Sequence, residues 1–453
     1  MHFEEALRYL LSLGHETLAI KLGLRNTELL LAALGNPQKS YLSVQIAGTN
    51  GKGSTAVVLD AVCQAALIKT GLYTSPHLIS ITERVKIGGR DILQDQFAQH
   101  ATQVRNAAQK LIDQRQIEAL PTFFEQVTAI ALLAFNEAIL ELAILETGLG
   151  GRLDATTVAG AVLVAITPIA LDHEEHLGET VESIAAEKAA IVRPRVRAII
   201  APQSHQALQV ILRQCEQCAV RPSVNECTWT IEGGSPDGRL LVTFETPSDR
   251  YEHVRLGLRG RHQVINAAVA IRLAESLREL GFAIPQSAIV KGIESANHPG
   301  RLELWQGRPA FLFDGAHNPA GALALRDYLK EFVSVPLTLV FGAMRDKNLE
   351  EMAAILFPMA NQLILTQTDN PRAASVESME RITSRVAAGN PIKASSVRDA
   401  TSIARRITPG DGLVCFAGSL YLIGEVQALM KQAPEVPARD GKSLSEERLN
   451  DFY

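Results

Sequence analysis

Residues Gly48-Thr49-Asn50-Gly51-Lys52-Gly53-Ser54-Thr55 form the stretch of the chain best equipped for chemistry. Glycines at 48, 51 and 53 permit a tight, concave turn, with a lysine and two hydroxyls in and beside it. Between a strand and a helix, such a loop cradles an anion. Backbone N–H groups and the positive helix end face a phosphate, and the lysine adds a point charge. The hydroxyl of Ser54 or Thr55 is placed to reach a Mg²⁺ ion carried by the phosphates. The spacing departs from the common phosphate-loop pattern. Ile46 stands where the first glycine is expected, and Gly53 follows the lysine in place of Ser or Thr. A glycine-rich turn with an incidental lysine is the competing reading. The good strand before the loop and the good helix after it favour phosphate.

Other polar groups close apolar runs further along. Ser75-Pro76-His77 follows the short strand 71–74, where a turn and a site are equally good readings. Glu146 ends the apolar run 142–147, and Gly148, Gly150 and Gly151 come next. A carboxylate there suits a Mg²⁺ ligand, and the glycines let backbone approach a phosphate. Asp172-His173-Glu174-Glu175-His176 follows the buried-type strand 161–166. A solvated acidic turn is possible, yet His173 is well placed for a metal or phosphate. Thr122-Phe123-Phe124-Glu125 opens a helix; capping alone would justify Glu125, and core packing would justify the aromatic pair. Lys188, within the helical stretch 181–191, reads by pattern as solvated surface.

The elements that must position these groups read as α/β. Amphipathic helices are expected at 3–12 and 27–34, and longer ones at 95–117 and from 122 onward. Ile81 to Ile87 alternates like a hairpin strand, and 196–201 and 207–219 read as strand and helix. Residues 223–257 turn β-rich, and Asn266 falls near the start of an alanine-rich helix. A boundary falls near Asn297-His298-Pro299-Gly300-Arg301. Beyond it, strands near 310–314, 337–342, 362–366 and 412–417 alternate with helices, the pattern of a smaller parallel-sheet domain. Its first strand ends in Asp314-Gly315-Ala316-His317-Asn318-Pro319. The expected division is 1–297, 298–433 and a polar, mobile tail over 434–453.

Composition excludes several classes. Of 453 residues, 47% are hydrophobic and 21% charged, as in ordinary globular proteins. A net charge of −5 speaks against a general nucleic-acid role. No apolar run approaches the roughly 18 residues of a membrane span, and Met1-His2-Phe3-Glu4-Glu5 lacks a basic signal-peptide start. The 5 cysteines include Cys215 and Cys218 as a C-x-x-C without a second pair, which reads as reduced thiols on a helix. A cytoplasmic protein without membrane or nucleic-acid partners is expected.

Taken together, Gly48 to Ser54, Thr74-Ser75-Pro76-His77-Leu78, Glu146 to Thr156 and Phe313 to Pro319 resemble one family. They look like the folylpolyglutamate and dihydrofolate synthase branch of the Mur-type amide ligases, in the same order over roughly residues 15–430. The resemblance implies a P-loop ATPase domain followed by a Rossmann-like domain, a monomer, ATP and Mg²⁺ as cofactors, and small-molecule partners: a pterin acid and L-glutamate. It implies ATP contacts at Thr49, Asn50, Gly51, Lys52, Gly53, Ser54, Asn266, Arg301 and Asp314. It implies Mg²⁺ at Ser75, Glu146 and His173, directly or through water. Thr122, Phe123, Phe124 and Glu125, with Leu153, Asp154 and Ala155, match stretches lining the pteridine pocket. His317 neighbours the phosphates, and Lys188 matches a lysine carrying a CO₂ group. Lys52, Lys188, His173 and His317 are thus the candidate catalytic residues. This chain departs from the family at Thr157, where Asn is common, and in its Glu174-Glu175-His176 run.

The chemistry so implied is activation of a carboxylate as an acyl phosphate, then attack by the glutamate amine. Phosphoryl transfer needs positioning and charge neutralisation, and no nucleophilic triad is evident or required. Rival readings are another Mur-type ligase, which would usually carry a further N-terminal domain, a small-molecule kinase, and a nucleotide-gated binding protein. The choice among dihydrofolate synthase, folylpolyglutamate synthase or both stays open at this level.

Overall fold

A computed structural model describes residues 1–14, 23–386 and 390–432; the tail expected over 434–453 lies outside them. The chain builds three sheets. In chain order the strands of the first are β1 (Leu42–Ala47), β2 (Thr70–Tyr73), β3 (Val85–Ile87), β4 (Arg90–Asp91), β5 (Leu142–Glu146), β6 (Leu163–Ile166), β7 (Arg197–Ile200) and β8 (Ser223–Val224). They lie in the order β4-β3-β2-β5-β1-β6-β7-β8. From β2 to β8 neighbours pair in parallel, while β3 and β4 add an antiparallel edge. β5 and β6 are near-continuous apolar runs, and β1 carries a buried Ser43 and Gln45 among apolar residues, because helices cover both faces of a parallel sheet. One face packs on the helices Lys52–Ala65, His262–Glu279 and Gln286–Ser295. The other packs partly on Phe3–Ser12, Gln94–Asp113 and Phe123–Glu137, and partly on Val181–Ala189 and His205–Gln217.

A small antiparallel sheet follows: β9 (Thr228–Gly234), β10 (Leu240–Glu245) and β11 (Arg250–Arg255). The third sheet comprises β12 (Glu303–Trp305), β13 (Ala310–Asp314), β14 (Leu337–Phe341), β15 (Gln362–Leu365), β16 (Ile392–Lys393) and β17 (Leu413–Ala417). Its order is β12-β13-β17-β14-β15-β16, parallel from β13 to β16. Separate cores fill its two faces. The chain passes from the first domain's last helix to the third sheet between Ser295 and Glu303.

Three expectations are corrected. The stretch 81–87 is not one strand: Ser80 and Glu83 form a capping box that winds Ile81–Arg84 into a 3₁₀ turn, leaving only Val85–Ile87 in the sheet. β12 and β16 are additional edge strands of three and two residues, too short to show an alternation. Lys188, expected at the surface, is buried at 5% exposure because its helix packs that side on the first domain. Cys215 and Cys218 sit at the end of the helix His205–Gln217, where the Cys218 thiol meets the Val192 carbonyl at 3.2 Å.

Candidate active site

The carboxyl ends of the two large parallel sheets face each other across one cleft. In the first sheet, β1 lies where the connections diverge to either side. Such a switch point opens a crevice at the strand ends, and the glycine-rich loop occupies it. Gly51 sits at φ 88 and begins the helix Lys52–Ala65. A Cβ on it would lie 2.2 Å from Asn266 Oδ1, and one on Gly48 (φ 148) would lie 1.9 Å from Thr167 Oγ1. The loop therefore needs glycine at both positions. Thr49 and Asn50 N–H groups donate to Pro168 O at 3.1 and 3.2 Å, and Thr49 Oγ1 donates to Ala170 O at 3.0 Å. These bonds tie the loop to the segment leading to His173.

Lys52 Nζ donates to Gly48 O and Thr49 O, both at 3.1 Å, so the ammonium rests inside its own loop. Burial lowers its pKa, while the nearby Glu146 and Asp172 charges work to raise it. Glu146 stands beside it at the end of β5. Burial raises this carboxyl's pKa against the pull of Lys52. One oxygen accepts the Ser75 N–H at 3.1 Å, and the other accepts no hydrogen bond among the described residues. A buried carboxylate with an uncommitted oxygen next to a phosphate cradle fits a Mg²⁺ ion shared with phosphates. Such an ion commonly takes only one or two protein carboxylates. Ser54 Oγ meets His298 Nδ1 at 3.1 Å and accepts from Gln263 Nε2 at 3.4 Å.

Asp172, a member of the cluster whose own role the sequence left unassigned, is the centre of the cleft's polar network. Its buried carboxylate meets Lys347 Nζ at 2.7 Å, Asn318 Nδ2 at 3.0 Å and His317 Nε2 at 3.5 Å, all from the second domain. Burial works to raise its pKa. The His317 hydrogen bond and charge, with the Lys347 charge, outweigh burial and hold it far below the usual carboxylate range. Asn318 also donates to Asn50 Oδ1 at 3.1 Å and accepts from Gly321 N at 2.8 Å, capping the helix Pro319–Phe332. One amide thus touches the phosphate loop, Asp172 and its own helix.

His173 adopts φ 53, and its Nε2 lies 3.5 Å from Lys347 Nζ. Burial lowers its pKa to about 3, so the ring is neutral. Among the described residues no three or more His, Cys, Asp or Glu side chains converge to hold a metal. Asp314 accepts Leu302 N at 2.9 Å and Ala316 N at 3.0 Å, which shapes the loop at the end of β13. Burial raises its pKa, and the Arg301 charge lowers it. Arg301 donates to Gly315 O at 3.1 Å, and His317 Nδ1 meets the same carbonyl at 2.8 Å. Lys188 has its pKa lowered to about 7, first by burial and then by Lys52, and no hydrogen bond reaches its amine among the described residues.

A cavity of about 260 Å³ opens between the domains, with Phe124, the backbone of 148–151, Leu153, Ala155, His173, Lys347 and Arg372 on its wall. A second, of about 720 Å³, continues past His173, His317 and Lys347 toward Glu174, Glu175, Arg345 and Asn348. Of the residues expected around a flat ligand, Thr122, Phe124, Leu153 and Ala155 line the first cavity. Phe123 does not: it is buried beneath the Arg84 guanidinium, whose carbon lies 5.4 Å from the ring centre. The Glu125 carboxylate is committed, accepting Thr122 N at 2.7 Å and Thr27 Oγ1 at 2.8 Å. Asp154 likewise turns into its loop, accepting Gly148 N at 2.8 Å, Leu149 N at 3.0 Å and Thr156 N at 2.9 Å. Both border the cavity as scaffolding for it. His77 is drawn away, with Arg84 Nε at 2.8 Å. The sequence reading assigned no role to Asn318, Lys347, Arg372, Gln263 or His298. Only Asn318, a capping residue before Pro319, carried a local signal.

A model described as the Mur ligase middle domain matches residues 46–274, and one described as the Mur ligase glutamate ligase domain matches residues 300–420. A dihydrofolate synthase/folylpolyglutamate synthase of Bacillus subtilis is 34% identical over 426 residues, covering 92% of this chain and 97% of that protein. The chain spans only about half, 51%, of a Haloferax volcanii relative described as a probable bifunctional folylpolyglutamate synthase/dihydropteroate synthase; there it is 33% identical over 439 residues, 96% of this chain. The Mycobacterium tuberculosis folylpolyglutamate synthase complexed with ADP has a similar structure, with a TM-score of 0.89 at 30% identity, covering 96% of this chain and 99% of that one. A bifunctional folylpolyglutamate synthase/dihydrofolate synthase solved with Mn, AMPPNP and L-glutamate matches with a TM-score of 0.81 at 27% identity, covering 95% and 98%.

Proposed function

The chain belongs to the Mur ligases, in the branch of folylpolyglutamate and dihydrofolate synthases, and we propose that it uses ATP to join L-glutamate to the carboxylate of dihydropteroate, of a reduced folate, or of both. The observation that carries this reading is the meeting of two loops in one chain. The phosphate loop of the first domain and the Asp314–Asn318 loop of the second are joined through Asn318 to Asn50 and Asp172.

The roles follow from position. Asn50, Gly51, Lys52, Gly53 and Ser54 hold the ATP phosphates with backbone N–H groups and one ammonium. Asn266, packed on Gly51, and Arg301 and Asp314 from the second domain close on the nucleotide. Glu146 and Ser54, with Ser75 and His173, would hold Mg²⁺; the ion supplies charge neutralisation on the phosphates. The pterin acid occupies the cavity beside Phe124 and Leu153, with its carboxylate toward His173. The γ-phosphoryl group passes to that carboxylate, ADP leaves, and the glutamate amine displaces phosphate from the acyl carbon. Lys347 and Arg372, cationic groups on the cavity wall, suit the carboxylates of glutamate. Lys188 is carbamylated in this reading. Its amine is brought near neutrality, as CO₂ addition requires, and the carbamate supplies anionic oxygen that a lone Glu146 does not. A monomer is supported by a site completed within one chain, and a cytoplasmic setting by five unpaired thiols. No helix of the described residues is long and apolar enough to cross a membrane.

The deciding experiment offers dihydropteroate, tetrahydrofolate and methylenetetrahydrofolate with ATP and glutamate, and reads product mass. ADP release dependent on both a pterin acid and glutamate is expected. ADP release without glutamate, and a phosphorylated end product, would overturn the ligase reading in favour of a kinase.

A further inference from the structure

The turn that joins the two domains reaches into the phosphate loop. His298, Pro299, Gly300 and Arg301 close on themselves, with Arg301 N donating to His298 O at 3.3 Å. Proline at the second position and a glycine at φ 71 at the third make this a type II turn. Its first residue places Nδ1 at 3.1 Å from Ser54 Oγ. The same ring lies close over the preceding residue, since a Cβ on Gly53 would lie 2.9 Å from His298 Cε1. Its last residue donates to Gly315 O at 3.1 Å, and Gly315 N returns a bond to Gly300 O at 2.8 Å. One rigid turn therefore grips the phosphate loop at one end and the Asp314 loop at the other.

Ser54 is held from a second side. Gln263 Nε2 donates to its oxygen at 3.4 Å, and Gln263 Oε1 accepts from Asn266 Nδ2 at 2.8 Å, the asparagine packed on Gly51. A serine hydroxyl left to itself rotates among three staggered positions. With His298 Nδ1 accepting the hydroxyl proton and Gln263 donating, one of them is selected and one oxygen lone pair is left for a ligand in the cradle.

We infer that His298 is a positioning residue: it orients the Ser54 hydroxyl toward the phosphate-bound cation and ties that orientation to the place of the second domain. The inference rests on Ser54 serving the nucleotide phosphates and their Mg²⁺. Pattern reading passed over His298 because a histidine before Pro-Gly reads as turn.

The test measures ADP affinity by calorimetry, in Mg²⁺ and in excess EDTA, for the full chain. His298→Phe keeps the ring's bulk and removes its nitrogens; His298→Asn restores a polar atom near the Nδ1 position. Loss of one such hydrogen bond is worth about tenfold. His298→Phe should therefore lose about tenfold of the affinity gained from Mg²⁺ while binding ADP in EDTA like the parent. His298→Asn should recover most of that loss. In a Ser54→Ala background the His298→Phe change should add nothing, because its route of action is gone. An unchanged Mg²⁺ increment in His298→Phe overturns the inference, as does an equal loss with and without the Ser54 hydroxyl. If His298→Phe does not fold, His298→Ala and His298→Asn carry the same comparison. A parent protein whose ADP affinity ignores Mg²⁺ would overturn the phosphate-loop reading itself and this inference with it.

Discussion

Charge at the site is held in place before any ligand arrives. Lys52 rests on two carbonyls of its own loop with Glu146 and Asp172 in electrostatic range, so its charge already lies in the cradle a phosphate would enter. Removing a preorganised charge of this kind costs on the order of 10²-fold or more in rate. Lys52→Ala should show at least that loss in steady-state turnover, with an unchanged circular-dichroism melt. Near-parent turnover in the folded variant would remove Lys52 from the mechanism. Lys188 offers a check that needs no substrate. Burial and the Lys52 charge bring its pKa from 10.5 to about 7. Between those values the unfolded chain binds a proton that the folded chain lacks, so this residue adds stability as pH rises through that window. In CO₂-free buffer the parent should gain unfolding free energy relative to Lys188→Met between pH 7 and pH 10. Parallel stability curves would mean the amine keeps its proton in the fold. In assay, Lys188→Ala should be nearly inactive and partly restored by short-chain carboxylates.

At the scale of elements, the loops at the carboxyl ends of the strands do the positioning, and their backbone leaves little room for substitution. Gly51→Ala would place a methyl group against Asn266 Oδ1 at a left-handed φ. Strain of this kind costs about 1–3 kcal/mol, and the displaced Asn266 would loosen the nucleotide side of the cleft. The variant should melt several degrees lower and bind ADP more weakly; a fully parental melt would contradict the close packing. Such loops were legible in the sequence because glycine and the strand-ending carboxylates Glu146 and Asp314 mark them locally. The same is true of the central strands β5, β6, β14 and β17, which are mostly apolar runs. Other features left no local trace. Phe123 and Phe124 are adjacent and alike in type, yet one lines the cavity and the other lies under Arg84, a distinction set by tertiary packing. Glu125 and Asp154 look like ligand-facing acids, and only their hydrogen bonds show that backbone N–H groups occupy them. Lys347 follows Arg345-Asp346 in a polar stretch that reads as solvated surface; its partner Asp172 is 175 residues away in sequence.

Across the whole molecule, that long-range pair bridges the two domains. Lys347 and Asp172 are each only 7% exposed at the side chain, 2.7 Å apart, and belong to opposite walls of the cleft. Asn318 adds two bonds beside them, to Asp172 and Asn50, and Arg261 pairs with Glu331 on the outer side of the junction. Removing one member of a buried ion pair leaves the other charge uncompensated, which costs about 3–5 kcal/mol. Replacing both is far milder, because the desolvation cost disappears with the attraction. Asp172→Asn should therefore weaken the closed arrangement by more than the Asp172→Asn, Lys347→Met double variant does. Small-angle scattering with an ATP analogue, a pterin acid and glutamate provides the measurement. The parent should reach its most compact form in that complex, as closure around ligands requires. Asp172→Asn should stay more extended under the same conditions, and the double variant should fall between them. Urea unfolding followed by Trp305, in the second domain, with Trp229 replaced by Phe in each protein, should place the three proteins in the same order of stability. If Asp172→Asn matches the parent in both scattering and urea midpoint, the pair contributes nothing to closure, and the other contacts between the domains hold them.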